Sequence, residues 1–435
     1  MNHITLVAAL LCGTTVALSS PAAAQAAPPS GDAAIQQLQK QVDELQRAIA
    51  ELKAQSGKAA ASWKGAPQLE DKNSGWSFKP RGRLQYDFAT VSSPGGIDNP
   101  GLGFSNEVRR ARLGVEGKMP GDIGYKFEVD VATGDVEFAD AYLSYSPGDV
   151  EFIVGQHNNF QSLEELTSSL HTSFIERAAF TDAFGFERRV GASAQYENGP
   201  ILLQGGLFTD SIADLNSIGD DNDSYGFDGR AVFAPKLGKN QLHFAGSVHW
   251  RDLNDTPVPR YRQRPAVHTT DVRFIDTGNI SGAEKEVGYG VEAAGIFGPF
   301  HAAGEAYWQN VSRTGFADPT FFGAYADIGF FITGETRGYK GGKFDRVKVL
   351  KPFGKGGFGS LGVNLRWDYL DLSDAGIFGG RQNAYQASVN WKPTDYVLFG
   401  LNYAHLVYDD AAFAADDGDR NYTVDMIGFR SQVDF

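Results

Sequence analysis

Cysteine, an excess of basic residues and long apolar runs are what this chain lacks. The single cysteine, Cys12, lies in a stretch expected to be removed, so the mature form would hold no disulfide, as suits an exported protein that relies on none. No later stretch reaches about 18 consecutive apolar residues, which excludes a membrane-spanning helix. With 39 Lys+Arg against 53 Asp+Glu the net charge is -14 and the pI about 5.0. That balance excludes a general nucleic-acid or anionic-lipid surface binder and leaves only a local anion site open. Methionine is scarce at 3, whereas Gly 52, Phe 31 and Tyr 17 suit a chain of many strands and turns.

Catalytic and cofactor motifs are missing as well. His171 near Ser168 and Ser169 is proximity without a third group to orient the base. Gly357-x-Gly359-x-x-Gly362 runs into a strand instead of opening a helix, and Gly341-Gly342-Lys343 lacks the Ser or Thr that completes a phosphate loop. The acidic stretches Asp220-Asp221-Asn222-Asp223 and Asp416-Asp417-Gly418-Asp419 lack the spacing and terminal Glu of a calcium loop and read as solvated loops. No enzyme, cofactor or metal is expected.

Residues 4–18 are apolar and precede Ala22-Ala23-Ala24, which reads as a secretory signal peptide over residues 1–24. Ile35, Leu38, Val42, Leu45, Ile49 and Leu52 then recur at alternating steps of three and four, a coiled-coil seam within a helix over residues 30–55. β-Branched residues at one seam position and Leu at the other favour two strands. Residues 56–76, rich in Ala, Gly, Ser and Lys, read as a linker.

From residue 77 to 435 the period is two. Phe78, Leu84, Tyr86 and Phe88 alternate with Lys79, Arg81, Arg83, Gln85 and Asp87, and Leu361, Val363, Leu365 and Trp367 alternate with Asn364, Arg366 and Asp368. The segments are about ten residues long, roughly twice the usual strand. Long alternating strands in an exported chain without cysteine predict an all-β fold, a transmembrane antiparallel barrel of about sixteen strands, apolar side to lipid and charged side to a water-filled lumen. Three connections are longer than hairpins need, 158–187, 252–284 and 334–359; counting strands from a periplasmic N-terminal helix puts the first two outside the cell and the third inside. Long loops in a wide barrel belong in its lumen.

In the second of these, Arg260-Tyr261-Arg262-Gln263-Arg264 places three guanidinium groups on one side of an extended backbone, with Arg251 and Arg273 flanking. The row is either a solvated basic loop or a rail for anions.

The chain resembles the phosphate-selective porin O and P family of Gram-negative outer membranes. The resemblance is carried by RGRLQYDF from Arg81, VRRARLGVEGK from Val108, SLEELTSS from Ser162, IERAAF from Ile175, ITGETRGYKGGKFDRVK from Ile332 and GGRQNAYQASVNWKP from Gly379. It implies a homotrimer of sixteen-stranded porins in outer-membrane lipid and lipopolysaccharide, against the two-stranded preference of the seam, with two external loops and one periplasmic turn inside the channel. It also implies passage of small anions, phosphate among them, past an arginine ladder: Arg83, Arg109, Arg110, Arg177, Arg260, Arg262 and Arg264, with Arg273 beside them, and a constriction at Asp140, Ser168 and Ser169. Phosphate-specific members carry Lys where this chain has Glu165. Arg112 either compensates for that carboxylate or pairs with Glu116 on its own strand face. The alternatives are a general or sugar-permeable porin and a barrel whose coiled coil tethers the envelope.

Overall fold

The computed structural model describes residue 36 and residues 39–47, 60–71, 73–216, 223–254 and 258–435. It comprises two units, residues 1–58 and 59–435. In the first, residues 39–47 are helical and both Val42 and Leu45 are exposed. The rest of the seam and the signal peptide expected over residues 1–24 lie outside the described residues.

The second unit is a closed barrel of sixteen strands: β1 (Trp76–Val91), β2 (Gly103–Met119), β3 (Ile123–Asp130), β4 (Glu137–Tyr145), β5 (Val150–Asn158), β6 (Arg188–Asn198), β7 (Ile201–Phe208) and β8 (Tyr225–Phe233), followed by β9 (Asn240–Asp252), β10 (Ala283–Phe297), β11 (Phe300–Arg313), β12 (Thr320–Phe331), β13 (Ser360–Asp374), β14 (Ile377–Thr394), β15 (Val397–Asp409) and β16 (Tyr422–Asp434). Each pairs antiparallel with its sequence neighbours, and β16 returns to β1 with Val433 opposite Leu84. Closure gives every strand of the barrel a partner on both sides, as a bilayer requires. Residues 60–71, read from sequence as linker, instead form a hairpin, Ala60–Lys64 with Ala66–Asp71, whose second strand joins the start of β1 through Leu69 and Phe78. A short polar stretch flanked by Trp63 and Leu69 thus gains a template where β1 outruns β16.

The alternation of the sequence is realised inside out. Leu84, Leu113, Phe127 and Leu365 stand on the outer surface, while Gln85 and Asp87 of β1, Arg230 of β8, Arg366 of β13 and Arg430 of β16 are buried inside. Many of the inward charges are matched in pairs. Arg430 binds Asp87 through Nε and Nη2 at 2.8 and 2.6 Å, and Arg230 binds Glu292 at 2.8 and 2.6 Å. Buried ions are tolerable in that form, because each guanidinium supplies the hydrogen bonds its carboxylate lost to water. Among the described residues no helix is long and apolar enough to cross a membrane, so strands do the crossing. Leu365→Arg, on the outward face, should therefore cost about 2–4 kcal/mol of folding free energy in lipid vesicles, read by denaturant titration. An unchanged midpoint would mean that this face does not meet lipid.

Connections 159–187, 253–282 and 332–359 enter the barrel, and they correct one expectation about it. The lumen is not charged all round. Leu370 and Leu372 of β13, Leu406 and Tyr408 of β15 and Val424 and Met426 of β16 face inward and pack with Ile175, Phe274 and Ile275 of the inserted loops. Phe180 of the first loop stacks on Tyr307 of β11 at 5.9 Å and 5° between planes. These strands turn apolar on the inner face where a loop covers them, so one side of the barrel is filled by a core and the remaining space lies along the other.

Candidate functional site

The open space is a cavity of about 1010 Å³ running along the inner face of β1–β7. Loop 159–187 and a small hairpin of the third connection, Gly338–Lys340 with Lys343–Asp345, close its other side. Gly341 and Gly342 form the hairpin tip at φ 57° and 70°, a left-handed turn that side-chain-bearing residues adopt at a cost. A Cβ on Gly342 would collide with Leu202 at 2.6 Å, so glycine also lets the tip seat against the wall, where Arg230 Nη2 donates to its carbonyl at 2.9 Å. Loop and hairpin meet where Phe344 N–H donates to Thr167 Oγ1 at 3.3 Å.

The basic side of the cavity is built on β1 and β2. Arg83 sits opposite Arg112 and Gln85 opposite Arg110 across the pair. A bulge follows, because Tyr86 faces Val108 and skips Arg109. One extra residue reverses the parity of the strand, so Arg109 and Arg110 are neighbours in sequence yet both border the cavity. Period two alone assigns Arg109 to lipid. The bulge was invisible in the sequence.

Loop 159–187 supplies the facing groups. Ser162 caps the short helix Leu163–Leu166, and the backbone N–H groups of Leu163 and Glu164 donate to the Glu305 carboxylate on β11 at 2.9 and 2.7 Å, which moors the loop to the far wall. Arg177 braces it further by donating to the carbonyls of Glu164 and Thr167, both at 2.9 Å. Ser169 reaches the basic wall directly: its Oγ accepts from Arg83 Nη1 at 2.9 Å, and its carbonyl accepts from Gln85 Nε2 at 3.0 Å. Arg110 Nη1 donates to Gln85 Oε1 at 3.0 Å. Arg83, Gln85, Arg110 and Ser169 are thus one hydrogen-bonded set. Ser168 also borders the cavity.

Acidic and basic side chains border the cavity in equal numbers, eleven of each, so any preference must come from how they are paired. Several of the carboxylates nearest the basic wall are taken. Asp140 lies between Arg188 at 2.8 Å and Lys126 at 2.5 Å, and Asp130 accepts from Arg112 Nε at 2.8 Å. Glu176 is gripped by Arg109 and Arg430, at 2.9 and 3.1 Å. Burial raises the Glu165 carboxyl above its ordinary range although Arg177, 3.4 Å away, and Arg188 and Arg110 oppose that rise. Arg110 is the exception among the wall arginines: buried, with Gln85 as its partner and no carboxylate within ion-pair distance. Arg112 pairs with Glu128 and Asp130, and not with Glu116, which Arg81 and Lys79 occupy. Strand twist and the cross-strand neighbour decided that choice over the residue four positions on.

The loop row is only partly brought to the cavity. Tyr261 and Gln263 are buried while Arg260, Arg262 and Arg264 lie on the other parity, as period two predicts. Arg264 borders the cavity, donating to the Thr270 carbonyl and to Asp271, each at 3.0 Å. Arg260 is exposed and held by both oxygens of Asp276, Arg262 is exposed, and Arg273 is buried with Nε and Nη1 lacking hydrogen-bond partners; none of the three borders the cavity. Arg81, Lys126, Arg188, Lys340 and Lys343 do border it and had not been singled out for it. Lys126 and Arg81 followed the lumen parity of their strands, which was the signal available for them. His171 directs Nε2 to Asp345 at 3.5 Å. No group of three or more His, Cys, Asp or Glu able to hold a metal occurs among the described residues.

A relative from Caulobacter vibrioides, described as an uncharacterized protein, is 48% identical over 382 residues, covering 86% of this chain and 77% of its own length. Porin O of Pseudomonas aeruginosa is 27% identical over 399 residues, 82% of this chain and 89% of its own. An anion-selective porin from Comamonas acidovorans superposes with a TM-score of 0.53 at 12% identity, over 83% of this chain and 100% of that one. The trimer form of in-vitro folded OmpT from Vibrio cholerae does so with a TM-score of 0.51 at 10% identity, over 83% and 100%. Identities so low attest the shared barrel. The sequence model of one family matches residues 78–435, nearly the whole barrel. With that match, the closed sixteen-stranded barrel and the lumen it encloses, the chain belongs to the phosphate-selective porin O and P family and is an outer-membrane porin.

Proposed function

We propose that this porin conducts small anions, inorganic phosphate among them, through the cavity along β1–β7. The observation that carries the reading is the set of Arg83, Gln85, Arg110 and Ser169, where Arg110 has no carboxylate and Ser169 keeps its hydroxyl hydrogen for a ligand. A guanidinium donates to an oxyanion in fork geometry and a hydroxyl adds a donor without charge. Away from bulk water both act more strongly. Glu165 does not abolish this preference, because Arg177 holds it and burial disfavours its charged form. In the native membrane the functional unit is a homotrimer set in outer-membrane lipid and lipopolysaccharide. Loops 159–187 and 253–282 enter from outside, and connection 332–359 and the N-terminal helix lie on the periplasmic side. Arg260 and Arg262 then flank the outer approach and gather anions, and Arg264 stands at the entry.

In a planar bilayer with a potassium chloride gradient, the reversal potential should show chloride preferred over potassium, and added phosphate should reduce the chloride current. A cation-preferring potential would sink the reading. Arg260, Arg262 and Arg264 replaced together by Ala should lower the preference, most at low salt where exposed charges act over about 10 Å or more. An unchanged potential returns the row to an ordinary solvated loop.

Preference should also depend on pH. Lys343 reaches channel water at the hairpin tip but is crowded by protein, and burial together with Lys126 and Arg230 lowers its ammonium to about 8. The lysine is charged below that pH and neutral above it. Anion preference should therefore fall as pH rises from 7 to 9, and Lys343→Arg should remove that fall, read as reversal potential against pH. The same fall in the arginine variant would assign it to another group.

A further inference from the structure

Behind the loop that bounds the channel lies a second, much smaller cavity of about 30 Å³, where three parts of the chain meet. Loop 159–187 contributes His171 and Ser173, connection 332–359 contributes Arg337, and β13 and β14 contribute Asn364, Asn390 and Lys392. Two of these six are cations and none is an acid. No carboxylate lines the space at all.

Both cations are more than nine-tenths buried, each with 7% of its surface exposed. Arg337 donates Nη1 to Ser173 Oγ at 2.5 Å and Nη2 to the His171 carbonyl at 2.8 Å, while its Nε has no partner. Lys392 has no hydrogen-bond or ion-pair partner among the described residues, and the surrounding acids are already engaged. Asp434 is held by Arg346, Asp395 accepts from Val349 N–H at 2.7 Å, and Asp327 is bound by Arg366 at 2.9 Å. His171 Nδ1 likewise has no partner. Burial, with Arg346 and Lys392 close by, pushes the His171 imidazolium down to about 3, so it is a neutral donor at ordinary pH. A guanidinium and an ammonium buried together with no carboxylate within ion-pair distance are costly, more so than a matched pair.

We propose that this cavity is a binding site for one monatomic anion, chloride under ordinary conditions, held by Arg337 and Lys392 with His171 and the Ser173 hydroxyl as neutral donors. Its size fits that occupant. A single water needs about 10–15 Å³ on the same measure, so the space has room for one small ion. The bound anion offsets the two charges and ties loop, connection and wall at one point, which fixes the channel boundary from behind. The site shares only His171 with the channel lining and is separate from the permeation path.

The test is anomalous diffraction from crystals of the full porin grown or soaked in sodium bromide. A bromide peak is expected within hydrogen-bond reach of Lys392 Nζ and the Arg337 guanidinium, and Lys392→Met should reduce it to background while leaving bromide bound near Arg83 and Arg110. Wild-type crystals with bromide in the channel but none between Arg337 and Lys392 would overturn the proposal. A peak there with none in the channel, joined to a cation-preferring reversal potential, would support this site and count against anion permeation. The wild-type measurement decides the matter alone if the methionine variant does not fold.

Discussion

Replacing Arg110 by Gln should weaken phosphate block of the chloride current by about tenfold or more. A hydrogen bond to a charged group contributes roughly 1.5–3 kcal/mol, and about 1.4 kcal/mol is one decade of affinity. Glutamine keeps a donor toward Gln85, so the hydrogen-bonded set that includes Ser169 survives and the loss is one of charge. Arg110→Lys should fall between the two, since an ammonium keeps the charge but loses the fork. Arg112→Gln should do much less, because that guanidinium is already spent on Glu128 and Asp130. Equal effects at the two positions would show that pairing does not decide which arginine serves the anion.

Glu165→Lys should act in the opposite direction and tighten phosphate block by one to two decades. Two unit charges about 4 Å apart interact by roughly 4 kcal/mol at an effective dielectric near 20, and water in the channel reduces that figure. The gain is limited by Arg177, which would lose its partner at 3.4 Å and face a like charge while still anchored to the carbonyls of Glu164 and Thr167. Glu165→Gln separates the two contributions, because it removes the carboxylate without adding an ammonium. Block by phosphate that is no tighter in the lysine variant than in the parent would take position 165 off the anion path.

The barrel was legible because its signal is repeated sixteen times. Each strand carries apolar residues toward lipid and polar residues toward the lumen, and errors at one strand do not alter the others. The site was legible in part. Period two put Arg83, Arg110 and Arg112 on the lumen face, and the family resemblance added Ser168, Ser169 and Arg177, all of which border the cavity. Arg109 came from resemblance alone, since a bulge has no signature in alternation. The inward Leu370, Leu372 and Leu406 keep the lumen parity but carry apolar side chains, because each answers a loop distant in sequence. Lys343 was seen as a failed phosphate-loop lysine; its place at the channel depends on a glycine turn carrying it across the lumen. Partner choice was beyond the strand pattern too. Arg112 had Glu116 in reach along its own strand and took acids from β3, a matter of twist and register.

The pairing of β16 with β1 also sets a schedule for the molecule. Val433 meets Leu84, and beyond it Gly82 and Phe435 exchange backbone hydrogen bonds at 3.3 and 3.0 Å, with the phenyl ring laid over the glycine where a Cβ would intrude. Nothing else can complete the cylinder. Until β16 has been synthesised, β1 and the growing edge both present unpaired backbone, a hazard for aggregation in water and untenable in lipid. Zipping the two ends of so long a chain is also the slowest kind of contact to form by chance. The barrel therefore closes only when its final strand meets its first, so this one seam decides when every strand is paired and the lumen is shut off from lipid.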